Sequence, residues 1–298
     1  MKVSRIAPAE PPGPKSVEPD NIPHLSAEAF GRFAKFITHE LGIKMPDSKL
    51  SMVRSRLGRR VRELRLDSLD SYADYLFHSP DAQAERTEFI DAITTNKTDF
   101  FREPQHYDYL TGTVLPEIAR SPRGVAEHFR AWSAGCSSGE EAYSLAILLS
   151  EYRTRAPGFD FSILATDVST RILAQARKGI YDESHIGPIA ANLRRKYLLR
   201  GRKGDHMRVR MVPALRQRVS FHRLNFMDPD YRVHDTFDVI FFRNVMIYFD
   251  RKTQESVIQK LCRSLAPEGY LFTGHSETLA GLDVPVTPVQ AAVYRKRS

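Results

Sequence analysis

Phe129-Arg-Ala-Trp-Ser-Ala-Gly-Cys-Ser-Ser-Gly-Glu-Glu-Ala-Tyr-Ser144 sets the fold. Its first part is an apolar run suited to a buried strand, its middle is a loop of small residues, and its last part opens a helix. The same alternation continues downstream. Phe129–Ser133, Phe161–Thr166, Val219–Arg223, Phe237–Phe242 and Tyr270–Thr273 are expected strands, and a last strand at Ala291–Arg295 closes the chain. Helical spacing predicts Glu140–Glu151, Ser169–Lys178 and Lys252–Leu265 as helices. Strands alternating with helices predict an α/β domain over residues 129–298 with a mainly parallel, Rossmann-like sheet. Within it, residues 182–218 break the pattern: Arg and Lys are dense, Gly201 and Gly204 mark a turn, and Met207–Val212 alternates. A small antiparallel β-subdomain is expected there.

Upstream the texture is helical. Phe30, Phe33, Phe36 and Ile37 recur at helical spacing, as do Leu50, Val53, Leu57, Val61 and Leu64. Around the rest of that second helix stand Arg54, Arg56, Arg59, Arg60, Arg62 and Arg65, with Glu63 the one acid among them. Residues 23–95 are therefore expected to form a helical N-terminal domain, 96–128 a linker with a connecting helix, and 1–22 a disordered proline-rich tail. The hydrophobic fraction of 42% and charged fraction of 27% are those of an ordinary globular protein. No apolar run is long enough to span a bilayer, and no apolar signal core stands at the start of the chain. Cys136 and Cys262 supply neither a disulfide framework nor a zinc quartet, so no metal and a reducing, cytoplasmic setting are expected. The formal net charge of +8 asks for an acidic partner without choosing among protein, nucleic acid and membrane.

The loop after the first strand is placed to hold a ligand at the carboxyl end of the sheet, with Gly135 and Gly139 allowing close backbone approach. A phosphate loop needs Gly-Lys-Ser/Thr, yet this one ends in Glu140 and Glu141, which repel pyrophosphate; the Gly-x-Gly-x-x-Gly spacing is also absent. A cationic cofactor without phosphate, such as S-adenosylmethionine, fits better. The same acids serve equally well as first-turn partners of the helix dipole. Asp167 ends the next strand, where an acid accepts from ribose hydroxyls or caps the helix that follows.

Five segments resemble one family, the chemotaxis receptor methyltransferases. They are Thr94-Thr-Asn-Lys-Thr-Asp-Phe-Phe-Arg-Glu, Trp132-Ser-Ala-Gly-Cys-Ser-Ser-Gly-Glu-Glu-Ala-Tyr-Ser, Ala165-Thr-Asp-Val-Ser, Phe242-Arg-Asn-Val-Met-Ile-Tyr-Phe-Asp and Gly274-His-Ser-Glu. The likeness runs from about Ser26 to the C-terminus. It implies a small all-helical domain joined to an S-adenosylmethionine methyltransferase sheet with an inserted β-subdomain, and it implies γ-glutamyl methyl ester formation on chemoreceptor helices, leaving S-adenosylhomocysteine. By family position Asn96, Thr98 and Arg102 reach the cofactor from the linker. Glu140 and Asp167 hold its methionine and ribose ends, Asn225 and Phe226 flank the adenine, and Phe242 and Arg243 close the site. Tyr248 stands near the reacting methyl. Ala142 departs from the family, which usually has proline after the two glutamates.

A glutamate side chain is already ionised at neutral pH, so methylation needs alignment more than acid–base help. Arg102 suits a two-pronged contact with the incoming carboxylate, and Tyr248 a weak hydrogen bond or closure of the methyl channel. By position alone, a salt bridge of Arg102 with Glu103 or Glu140 and simple packing of Tyr248 account for both residues. His275 is expected to be structural. Arg56, Arg59, Arg60 and Arg62 are the expected docking face for acidic chemoreceptor cytoplasmic helices. The resemblance also admits a receptor C-terminal tether peptide on the β-subdomain. A monomer recruited to receptor arrays at the inner membrane is expected, without membrane insertion. Nucleic acid is not an expected partner: Asp/Asn-Pro-Pro-Tyr/Phe is absent and no aromatics interleave the arginines.

Overall fold

The computed structural model describes residues 24–80, 82–120, 128–203 and 206–297; the proline-rich tail expected over 1–22 lies outside them. Four helices come first: α1 (Ala27–Leu41), α2 (Leu50–Glu63), α3 (Leu69–His78) and α4 (Ala82–Ile93). Ser26 caps α1 by accepting from Ala29 N, Gly42 ends it in the left-handed region, and Ser68 caps α3 through Ser71 N. The apolar stripes close on one another as one core, in which Phe33 stacks on Phe89 with ring centroids 5.5 Å apart and Val53, Leu57 and Val61 are buried.

A linker carries the chain to α5 (Gln105–Tyr109), which continues through a π-helical turn at Leu110–Val114 into α6 (Leu115–Arg120). The sheet domain then runs β1 (Phe129–Ala134), α7 (Glu140–Arg153), β2 (Phe161–Asp167) and α8 (Thr170–Lys178). A small sheet follows, from β3 (Ile180–Asp182), α9 (Ala191–Tyr197), β4 (Leu198–Lys203) and β5 (His206–Met211), before the short α10 (Pro213–Arg216). The chain ends with β6 (Val219–Arg223), β7 (Phe237–Phe242), α11 (Arg251–Arg263), β8 (Leu265–Thr273), β9 (Val286–Gln290) and β10 (Val293–Lys296). The large sheet is ordered β6-β2-β1-β7-β8-β10-β9. Its first five strands are parallel, and β10 runs antiparallel between β8 and β9. The small sheet, β3-β5-β4, is antiparallel.

Two strand expectations change. The strand expected at Tyr270–Thr273 starts earlier, at Leu265, and β9 was not expected at all. Pro288 lies in β9 and four of its five residues are exposed, as an outer strand permits, so the apolar signal of a buried strand is missing. Among the described residues no helix is long and apolar enough to cross a membrane.

Candidate active site

Between the helical domain and the carboxyl ends of the parallel strands lies a cavity of about 380 Å³. The strand order reverses direction around β1, whose neighbours are β2 and β7, and the cavity opens at that switch point. Hydrogen bonds from both domains hold its walls: Asn225 Nδ2 donates to Glu40 O at 2.6 Å, and Lys44 N donates to Tyr248 O at 2.9 Å. On the far side of the interface Asp91 accepts from Thr170 Oγ1 at 2.8 Å and from Arg171 N at 3.1 Å.

The loop after β1 is shaped for close approach. Gly135 and Gly139 have φ of +85° and +96°. A Cβ on Gly135 would stand 2.7 Å from the Val245 side chain, so only glycine leaves this wall its form. Four non-glycine residues around the site share the left-handed region: Phe101 and Glu103 in the linker, Ser137 in the loop after β1 and Asn244 after β7. Phe101 N is fixed by donating to Ser144 Oγ at 3.0 Å.

Of the residues singled out from sequence, the cavity lining gathers Asn96, Thr98, Arg102, Asp167, Asn225, Phe226, Arg243, Tyr248 and Arg56. Asp167 is buried; Ser169 N donates to its Oδ1 at 3.0 Å and Ser137 N to its Oδ2 at 2.9 Å. Each oxygen keeps a lone pair for a ligand hydroxyl. Burial raises its pKa, partly offset by those N–H donors. Arg102 is exposed, and its guanidinium donates to Lys97 O at 3.5 Å; the ion pair with Glu103 that sequence allowed it belongs to Arg243 instead. Asn225 lines the cavity while one of the two N–H donors of its amide is engaged by Glu40 O.

Four of the expected residues have protein partners or packing of their own. Glu140 is outside the lining: its carboxylate accepts from Ser138 Oγ at 2.6 Å, and Glu141 occupies the lining in its place. Phe242 is fully buried in the core against Phe226, their centroids 4.9 Å apart, and Asn244 lines the cavity instead. Arg60 is not a free docking group, because it lies on buried Glu85 at 2.6 Å, which also accepts from Tyr72 Oη at 2.7 Å. Arg56 turns inward, donating to Ile93 O and to Thr95 Oγ1, the latter at 2.7 Å. Arg59 and Arg62 remain exposed. His275, expected to be structural, is exposed beside the site.

Sequence reasoning gave no site role to Asn244 and Glu277, took Glu103 only as an ion-pair partner for Arg102, and weighed Glu141 only together with Glu140. Glu141 accepts from Ser133 Oγ at 2.7 Å and pairs with Arg243 Nη1 at 3.5 Å; burial raises its pKa and Arg243 opposes the rise. Arg243 is buried between Glu141 and Glu103, the latter 3.0 Å away. Burial alone would lower its pKa, but Glu141, Tyr107 and Glu103 together raise it. Its Nε is buried with no protein partner among the described residues, a donor left for a ligand anion. Glu277 is buried and ties two loops together, accepting from Gly274 N at 2.7 Å and Asn244 N at 2.8 Å. Only Asn244 carried a sequence signal of its own, since asparagine is among the few residues that tolerate a positive φ.

These residues fit S-adenosylmethionine: two carboxylates for its hydroxyls and cationic groups, Asp167 buried and Glu141 largely so, an unpaired buried donor for its carboxylate, and a glycine wall that admits close contact. Comparison with known proteins agrees. Residues 96–294 match the family described as CheR methyltransferase, SAM binding domain, and residues 28–94 match CheR methyltransferase, all-alpha domain. A chemotaxis protein methyltransferase of Salmonella typhimurium is 40% identical over 258 residues, 87% of this chain and 86% of that protein. Chemotaxis protein methyltransferase 2 of Pseudomonas aeruginosa is 37% identical over 273 residues, 91% of this chain and 94% of that one. Solved structures give fainter likenesses, such as a glycopeptide N-methyltransferase complexed with sinefungin at 13% identity and a TM-score of 0.36, over 74% of this chain and 70% of that one.

Proposed function

The chain belongs to the CheR methyltransferase family, S-adenosylmethionine-dependent methyltransferases of chemotaxis, and on that premise we propose that it esterifies glutamate side chains on the cytoplasmic helices of bacterial chemoreceptors. The observation that carries this acceptor is how charge is divided in the cavity. The lining acids Glu141 and Asp167 are largely withdrawn from solvent and outnumber the buried lining cation Arg243, whereas the lining cations Lys44, Lys49, Lys97 and Arg102 are exposed at its rim and outnumber the exposed lining acid Asp99. A cation is favoured inside and an anion across the opening.

Bound S-adenosylmethionine supplies a methyl group on a cationic sulfur. Asp167 and Glu141 provide the negative surroundings that favour such a ligand, and Asp167 retains acceptor capacity for hydroxyls. Arg243 offers its unpaired Nε to a carboxylate. Arg102, on the exposed linker, positions the acceptor glutamate; too firm a grip would stabilise the ground state, and an exposed guanidinium avoids that. Tyr248, half-buried in the same lining, and the cavity walls limit water around the reacting groups. An anionic nucleophile and a cationic donor lose their charges together, so a dry site favours the transfer.

The same reading places the enzyme in the cytoplasm, as a monomer recruited to receptor arrays at the inner membrane. The edge strand β4, with Leu199 half-exposed, supports addition of a receptor tether peptide to the small sheet. The test uses S-adenosylmethionine labelled in its methyl group and a receptor cytoplasmic fragment. Label released by mild alkali is expected, as from a carboxyl ester. Alkali-stable label, as from nitrogen or carbon methylation, overturns the acceptor.

A further inference from the structure

Behind the cavity wall, outside its lining, Glu103, His106 and His275 bring one donor atom each within 4.8 Å of one another. His106 is 1% exposed, and neither ring nitrogen has a hydrogen-bond partner, although Glu103 Oε2 lies 3.5 Å from Nδ1. Its ring meets those of His275 and Phe272 edge-on, with centroids 4.7 and 5.7 Å away. A buried imidazole with both nitrogens unengaged is uncommon, because the desolvation of each is left uncompensated. Glu103 holds a positive φ of 56°, an unfavourable backbone that turns this carboxylate toward the cluster. His275 is exposed and gives the cluster an opening to solvent.

We propose that Glu103, His106 and His275 form a binding site for a divalent ion of the zinc class, and that the ion competes with Arg243 for Glu103. Two imidazoles and one carboxylate with a fourth position open to water is a donor set zinc takes readily. Zinc stands roughly 2.0–2.1 Å from such donors, so a tetrahedral site needs them roughly 3.3 Å apart, a modest closure that the exposed His275 supplies by moving inward. Glu103 Oε2 stands 3.0 Å from Arg243 Nη2, and the ion draws on that same carboxylate. Filling the site therefore loosens Arg243, which lines the cofactor cavity.

The full chain, stripped of metal with a chelator, is titrated with Co2+, whose visible absorption distinguishes four-coordinate nitrogen and oxygen ligation, and then with Zn2+ in competition. One tight equivalent is expected. His275→Ala, at an exposed position where the fold is safe, weakens it at least about tenfold, and His106→Leu, checked by circular dichroism, does the same. Saturating Zn2+ lowers the affinity for S-adenosylhomocysteine by about fivefold in the parent chain and has no such effect in His275→Ala. Absence of a tight equivalent, or Co2+ binding indifferent to His275→Ala, overturns the site; an unchanged affinity for S-adenosylhomocysteine at full Zn2+ loading overturns the competition for Glu103. The Co2+ readout does not depend on which acceptor is methylated, so it stands or falls apart from the receptor reading.

Discussion

A helix turns roughly 100° per residue, so Glu140 and Glu141 leave the start of α7 in different directions. Gly139, at φ +96°, sets the phase, and it is Glu141 that reaches the cavity while Glu140 settles on Ser138. The two acids are adjacent and identical in type, so nothing in the sequence separates them; the choice depends on a backbone angle three-dimensional packing selects. Asp167, by contrast, was legible, because a strand end admits one orientation toward the sheet's carboxyl edge. The difference can be measured. Glu141→Gln removes a charge-assisted contact worth about 1.5–3 kcal/mol and should weaken binding of S-adenosylmethionine roughly tenfold or more in calorimetry. Glu140→Gln should change it far less. Equal losses in the two variants would show that the cavity does not distinguish them.

At the level of elements, apolar runs that cross the buried sheet announced themselves: Val219–Arg223 and Phe237–Phe242 begin and end where the sequence reads them. The outer β9, with Pro288 and an exposed face, did not. In α2 the apolar stripe was readable and the fate of the arginines was not, since their partners come from distant segments. Arg60 spans to Glu85 on α4, and Arg56 to Ile93 and Thr95. A long side chain of that kind serves packing or docking with the same residue type, and only the partner decides. Arg60→Ala leaves the buried carboxylate of Glu85 with the Tyr72 hydroxyl but without its cation. It should cost about 2–3 kcal/mol in urea unfolding, the low side of a buried ion pair because the guanidinium is partly open to water. Arg59→Ala, which breaks a surface pair with Glu63, should leave the urea midpoint within the scatter of surface substitutions. A midpoint for Arg60→Ala indistinguishable from that of Arg59→Ala would mean the buried carboxylate finds another partner.

Across the whole molecule, the helical domain is a wall of the cavity as well as a neighbour of it. The Glu40–Asn225, Lys44–Tyr248 and Asp91–Thr170 hydrogen bonds fix α2 beside the opening. Lys49, Met52 and Arg56 line the cavity from the start of that helix, and Arg59 and Arg62 follow at spacings of three residues, so the basic face winds gradually around the helix. The face runs away from the opening for roughly 9 Å between Arg56 and Arg62, at roughly 1.5 Å per residue. An acidic receptor helix laid along it would present a glutamate to the cavity while its other charges meet Arg59 and Arg62. Such contacts between exposed charges act over a screening length of about 10 Å at 0.1 M salt, so they steer encounter and weaken as salt rises. Reversing both charges, Arg59→Glu with Arg62→Glu, should lower kcat/KM for a receptor fragment about tenfold at low ionic strength. The deficit should shrink as salt is added, while the affinity for S-adenosylhomocysteine, read separately by calorimetry, stays at the parent value because neither residue lines the cavity. A double variant that methylates the fragment at the parent rate in low salt would remove α2 from the docking surface and leave the rim cations Lys44, Lys49, Lys97 and Arg102 to account for acceptor recognition.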